Sequence, residues 1–296
     1  MNLGRIGLGC MALTGIYGTV PRERAIALIH RALDLGVSHF DTAELYGPYA
    51  NEELLAEALS PKNHDVVIAT KFGYRLDGGK IVGLDSSPAK IRSAVEGSLR
   101  RLRRDRIDIL YQHRQDPAIP VEDVVGAMSD LVRQGMIRAG GLCAVNPKIL
   151  QRAETVAPIE FIQNEYSLIN RAPEDDLLPH LGPDAVRFVC YSPLGRGILT
   201  GNAYPLSDLS DYRRNDARFE ADNLLVLRER LRALWEIAKA HAAPPAAVAL
   251  AWLLSRRPNV HVIPGPKTVD QLEDCLSAAH LSLSCSDLAQ LDNWAT

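Results

Sequence analysis

Short apolar runs alternate with longer stretches of helical period along almost the whole 296-residue chain. The runs fall at 6–10, 37–42, 66–71, 107–112, 137–142, 159–163, 186–191 and 260–263, which predicts eight strands. Between the first two, Ile26, Ile29 and Leu33 share one face of a helix over 22–35, with Gly36 placed to cap it. A short helix is expected over 52–59. Residues 73–87, rich in Gly and polar groups, read as a long loop. Pro88 then opens a helix with Ile91, Val95, Leu99 and Leu102 on its apolar face. Val124, Met128 and Leu131 line the next helix, which Gly135 ends. Further helices are expected over 147–156, over 174–181, along Leu224, Leu227, Leu231, Leu234 and Ala238, and after Pro244-Pro245. Two more follow, one along Val269, Leu272, Leu276 and Ala279 and a terminal one over 287–294.

Strands that alternate with helices must be parallel and joined by crossovers. The runs are apolar on both faces, as in a sheet covered on both sides. The expected α/β fold is a closed (β/α)8 TIM barrel, a single domain over 1–296, with an open doubly wound sheet as the competing arrangement. A segment at about 192–223 is too long for a plain connection. It is expected over the C-terminal face.

Three strand runs end in charged or polar groups: the second at Asp41, the third at Lys71, the fourth at His113. Neighbouring strands lie ~4.8 Å apart, so side chains from three consecutive ends can meet. Tyr46 lies in the polar turn after Asp41. The rim where strands of such a barrel end is where its catalytic groups gather. A buried Asp41–Lys71 ion pair that merely closes the rim competes evenly with a functional reading on spacing alone. A phenol beside an ammonium tips the balance.

Composition narrows the partners. A formal charge of -3 gives no reason to expect nucleic acid or a membrane surface. No apolar run is long enough to span a bilayer, and no signal-peptide stretch is evident at the start, so the cytoplasm is the default. Cys10, Cys143, Cys190, Cys275 and Cys285 are scattered and odd in number, which suits reduced thiols. No zinc-binding spacing occurs, and no metal is expected. Gly7-Leu8-Gly9-Cys10-Met11-Ala12 matches the dinucleotide fingerprint only loosely, because no helix starts there. Arg100, Arg101, Arg103, Arg104 and Arg106 are explained as a solvated helix end.

Asp41-Thr-Ala-Glu-Leu-Tyr46-Gly, Thr70-Lys71 and Tyr111-Gln112-His113-Arg114 resemble, in order, the catalytic positions of the aldo-keto reductase superfamily. The resemblance continues through Gly140-Gly141-Leu142, residues 162–167, 191–197 and Ile263-Pro264-Gly265. It is closer to the bacterial and plant aldehyde-reducing branch and the channel β-subunit-like members than to the aldose reductase group.

That resemblance implies a barrel, a small carbonyl substrate, and NADP(H) as preferred cofactor with NAD(H) still open. Asp41, Tyr46, Lys71 and His113 would be the catalytic tetrad. Tyr191 would stack on the nicotinamide and Gln163 hold its carboxamide. Ser192, Leu194, Gly195 and Gly197 would follow the pyrophosphate, and Lys267, Gln271 and Asp274 the adenosine end. Gly9, Cys10, Met11, Asp41 and Cys143 would also touch the cofactor. Cys143 stands where serine is common, and a thiol is a poorer donor.

In the implied chemistry Tyr46 donates a proton to the carbonyl oxygen while hydride reaches the carbon. Lys71 at ~4 Å would contribute about 4 kcal/mol to the phenolate at an effective dielectric of ~20, lowering its pKa by up to about three pH units. Tyr17 and Tyr74 are expected in the pocket wall with the 202–222 loop. Two other functions fit parts of the pattern. One is a lyase with Lys71 as Schiff-base nucleophile. The other is a cofactor-binding accessory subunit with slow turnover.

Overall fold

The computed structural model describes residues 1, 3–59, 65–182, 186–201 and 211–293. Its main sheet takes in β1 (Leu8–Gly9), β2 (His39–Asp41), β3 (Val67–Phe72), β6 (Ile107–Gln112), β7 (Ile137–Cys143), β8 (Phe161–Glu165), β9 (Arg187–Tyr191) and β10 (Val260–Val262). They lie side by side in that order, and every pairing is parallel. The chain just before β1 also touches β10. Ile6 forms a parallel bridge with Val262, and the amides of Gly7 and Val262 donate to Val262 and Arg5 carbonyls at 2.8 and 3.0 Å.

Apolar residues on the two faces of β3, β6, β7, β8 and β9 serve two different cores. Ile68, Leu110, Leu142, Ile162 and Phe188 pack outward against helices. Their alternates Val67, Ala69, Ile109, Tyr111, Ala139, Phe161 and Val189 pack against one another inside the curved sheet. Gly141 is needed there, since a Cβ would meet the Tyr111 ring at 2.6 Å. The outer layer is α1 (Arg22–Asp34), α2 (Ala50–Leu59), α3 (Pro88–Leu102), α4 (Val121–Arg133), α5 (Pro147–Glu154), α6 (Ala172–Asp176), α7 (Ala221–Ala240), α8 (Pro245–Arg256), α9 (Val269–Leu276) and α10 (Cys285–Asp292). Among the described residues no single helix is long and apolar enough to cross a membrane.

Several sequence expectations need correction. The first strand is only Leu8–Gly9, because Cys10–Thr14 winds into a 3-10 turn. Residues 73–87 are not a plain loop: β4 (Tyr74–Asp77) and β5 (Lys80–Leu84) form an antiparallel hairpin. The last helix begins at Cys285, ahead of the expected 287, because Ser284 and Asp287 form a reciprocal capping box. Arg101 is not merely solvated: its Nε donates at 2.6 Å to the buried Glu52. Of the segment 192–223, residues 195–200, 212–215 and 217–219 form 3-10 turns, and residues 202–210 lie outside the described residues.

Candidate active site

The strands β2, β3 and β6 are neighbours, with Asp41 opposite Ala69 and Lys71 opposite Tyr111. The chain beyond β2 stays attached to β3, since the amides of Thr42 and Glu44 donate to the Ala69 and Lys71 carbonyls at 2.8 and 3.3 Å. A turn closed by the Tyr46 amide on Ala43 O at 3.1 Å then brings the phenol back over the rim. Beyond β6, the His113 amide donates to Phe72 O at 2.8 Å and fixes the imidazole beside that phenol. The two rings meet edge-on, centroids 5.8 Å apart, and Tyr74 of β4 also meets His113 edge-on at 5.1 Å.

Lys71 is 1% exposed, and its ammonium has three acceptors. Nζ donates to Asp41 Oδ1, to Thr42 O at 2.8 Å and to the Tyr46 hydroxyl at 3.2 Å. Burial alone would lower its pKa, but its neighbours, the Asp41 carboxylate first, outweigh that and hold it above the usual lysine range. The second carboxylate oxygen of Asp41 accepts from Gln163 Nε2 at 2.7 Å. Burial pushes this carboxyl up while Lys71 and Gln163 pull it down.

Tyr46 departs from the sequence-based expectation. Its pKa is raised to about 12, because desolvation outweighs the attraction of Lys71 and Asp41 adds to the rise. Burial also takes His113 well below the ordinary histidine range, with Lys71 and Arg114 pushing the same way. The site at neutral pH therefore holds a protonated phenol, a charged ammonium and a neutral imidazole.

A cavity of about 770 Å³ opens above these groups, lined by Asp41, Tyr46 and His113. Gly9, Met11, Gln163, Tyr191, Ser192, Leu194, Gly197, Lys267, Gln271 and Asp274 also line it, as do Tyr17 and Tyr74. Three expected contacts do not. Cys10 is buried with its thiol directed at Leu8 O, 3.6 Å away. Cys143 belongs to the inner core, where burial pushes its thiol up to about 12. Gly195 lies behind the wall, where a Cβ would meet Ile169 at 2.4 Å.

Past β9, Ser192, Gly195, Arg196 and Gly197 all have positive φ, of 48°, 56°, 57° and 102°. The Gly195 and Gly197 amides are already given to Ser192 O and Leu194 O, at 2.9 and 3.0 Å. At the far side, Lys267 Nζ donates to Tyr17 O at 2.8 Å and its amide to Gln271 Oε1 at 2.8 Å. Burial and the neighbouring Asp270 and Glu273 push the Asp274 carboxyl up. Over the cavity, Tyr17 and Tyr212 share a 2.8 Å hydroxyl bond, Arg213 holds Asp211 at 2.6 Å, and Phe219 is buried.

Sequence reasoning gave no role to three groups behind this geometry. Glu44 Oε1 accepts the Gly73 amide at 3.3 Å, tying the Tyr46 turn to the end of β3. Burial, the largest influence on it, raises its carboxyl to about 6. Asn51 takes the Thr42 hydroxyl at 2.6 Å and donates to Cys10 O at 2.8 Å, joining that turn to the segment after β1. The signal for both was a polar residue inside an apolar helical or turn stretch. Arg114 sits within a motif whose form pointed to the branch but in which the histidine alone was given a catalytic role.

The model of the Aldo/keto reductase family matches residues 5–295. A probable aldo-keto reductase 1 of Glycine max is 35% identical, over 98% of this chain and 85% of that protein. The glycerol dehydrogenase structure from Gluconobacter oxydans matches with a TM-score of 0.89 at 30% identity, covering 99% of this chain and 91% of that one. An aldo/keto reductase from Klebsiella pneumoniae in complex with NADP and acetate matches with a TM-score of 0.79 at 26% identity, covering 98% and 91%. Fold and site define an oxidoreductase. The chain belongs to the aldo/keto reductase family, whose members depend on NAD(P)H.

Proposed function

We propose that the chain reversibly reduces an aldehyde or ketone to the alcohol with NADPH, in a single (β/α)8 domain over 1–296 whose ring of strands is closed. The bridge from Ile6 to Val262 supports closure. The observation that carries the function is the 3.2 Å contact from Lys71 Nζ to the Tyr46 hydroxyl, with Asp41 behind it and a cavity in front.

The cavity fits a nicotinamide dinucleotide in volume and chemistry. It offers the face of Tyr191, the amide of Gln163, the left-handed Ser192–Gly197 turn, and the cation of Lys267 for a 2'-phosphate. The Klebsiella relative with NADP favours the phosphorylated form. When bound, the cofactor supplies the hydride.

Everything else falls to side chains. Tyr46 holds the proton that the carbonyl oxygen receives, and its raised pKa keeps it protonated throughout the neutral range. Lys71 contributes less to acidity than expected. It aligns the phenol by a hydrogen bond and limits the cost of the phenolate left behind. Asp41 keeps Lys71 charged and aimed. Neutral His113 donates a hydrogen bond to the carbonyl oxygen as charge develops there.

The Schiff-base alternative fares poorly, because a nucleophilic amine needs a free lone pair. Lys71 has its pKa raised and three acceptors in place. Tyr46→Phe should abolish NADPH-dependent reduction, with NADPH affinity by fluorescence titration nearly unchanged. Turnover retained in that variant removes the general-acid assignment.

A further inference from the structure

We propose that Arg114 recognises an oxyanion on the substrate, making carbonyl compounds that carry a carboxylate or phosphate the favoured class. This rests on the carbonyl-reductase reading and concerns only what the substrate bears beyond its reacting carbon. Three arginines line the cavity: Arg114, Arg196 and Arg213. Two are committed to carboxylates, Arg196 to Asp216 and Arg213 to Asp211, each at 2.6 Å. Among the described residues Arg114 pairs with no carboxylate. One N–H donates to the His113 carbonyl at 2.7 Å, and the guanidinium carbon stands 5.8 Å from the Tyr191 ring centre. These contacts orient a planar fork of donors and leave most of it for a ligand. A bound anion would supply the counter-ion that this half-buried guanidinium lacks among the described residues.

Position supplies the second argument. Arg114 and Tyr74 stand in the walls of both the catalytic cavity and an adjoining groove, which Ile81, Leu84 and Gln115 also line. The Gln115 amide nitrogen is buried and has no hydrogen-bond partner among the described residues. A substrate with its carbonyl at Tyr46 and His113 has this guanidinium beside its path into the groove. The groups that suit the cofactor's phosphates lie elsewhere, in the left-handed Ser192–Gly197 turn and at Lys267.

The test compares kcat/KM with NADPH for two matched pairs: 4-carboxybenzaldehyde against 4-methylbenzaldehyde, and glycolaldehyde phosphate against glycolaldehyde. Wild type should favour the anionic member of at least one pair by tenfold to a hundredfold, the range of a charge-assisted hydrogen bond. The pair that responds tells carboxylate from phosphate. Added KCl should erode the preference. Arg114→Met should bring the ratio near one, and Arg114→Lys should keep part of it. The proposal falls if wild type prefers neither anion, a result needing no variant. It also falls if the ratio survives in Arg114→Met, or if that variant loses NADPH affinity instead. Neutral aldehydes reduced without any preference overturn this inference alone. No NADPH oxidation with any of the four overturns the carbonyl-reductase reading with it.

Discussion

Lys71 carries three N–H groups, and the site supplies three acceptors from one short stretch of chain, at positions 41, 42 and 46. That match was half legible in the sequence. An acid and a base at the ends of adjacent strands announced the pair, and the phenol five residues past the acid announced its use. What the sequence could not give was the depth of the site. Charges can be counted along a chain, but the desolvation that raises Tyr46 to about 12 depends on everything stacked around it. The same holds for His39, which passed without remark. It shares the inner face with Asp41, is fully buried, and neither ring nitrogen has a partner among the described residues. Burial first, then the fields of His261 and Lys71, lower its pKa to about 3. A histidine depressed in the folded state takes up its proton more readily when unfolded. Its contribution is therefore complete above about pH 6.5 and drains away as pH falls toward 3. Unfolding free energy from urea titrations should drop by about 1.4 kcal/mol per pH unit from this proton alone between pH 6 and 4. His39→Leu should shallow that slope by one proton. An unchanged slope would mean that His39 is protonated, or solvated, in the native protein.

Among elements, those with a buried face were readable and those without were not. Both faces of β3, β6, β7, β8 and β9 carry core residues, and α3 and α4 show their core stripes plainly, with Ile91 and Val95 in one and Val124, Val125 and Met128 in the other. The β4–β5 hairpin has no such face, and its burial is patchy. Its only mark was Gly78-Gly79, with φ of 53° and 80°, a two-residue turn of the kind that joins antiparallel strands. A charged run misled for the opposite reason, since sequence cannot say which arginine faces inward. Glu52 on α2 is 0% exposed and accepts from the Thr70 hydroxyl at 2.6 Å and from Arg101 of α3 at 2.6 Å. The guanidinium also lies 4.5 Å from the Tyr49 ring centre. Thus α2, α3 and β3 meet on one buried carboxylate. Arg101→Met should cost about 3 kcal/mol of unfolding free energy by leaving that charge uncompensated. Arg100→Met, one position away, should stay within about 0.5 kcal/mol. Adding Glu52→Gln to the first variant should recover part of the loss. Equal, small effects at both arginines would return the run to a solvated face.

For the whole molecule, the eightfold alternation made the architecture legible, because parallel strands with crossovers leave few arrangements. The position of the lip over the cavity was legible but its conformation was not, since its charges pair with each other and with distant groups such as Glu165, reached by Arg218 from 53 positions away. The join between the two ends of the sheet was hidden as well. Its strands are short, Leu8–Gly9 and Val260–Val262, and hydrogen bonds contributed from outside them hold the ends together. Arg5 Nε donates to Val260 O at 2.9 Å, while its Nη2 reaches both Leu254 O at 2.6 Å and Arg257 O at 3.1 Å. One side chain therefore fastens the start of the chain to α8, to the turn after it and to β10. The same join carries Gly9, Ile263, Pro264 and Gly265 to the cavity wall, so its stiffness bears on the site. Hydrogen bonds from a charged donor are worth roughly 1.5–3 kcal/mol, and their loss here opens a seam rather than a core. Arg5→Met should lower Tm by a few degrees. Hydrogen exchange should quicken first at the amides of Gly7 and Val262, while those of β6 and β7 stay protected. Uniform acceleration across all the strands would show that the seam is no weaker than the rest of the sheet.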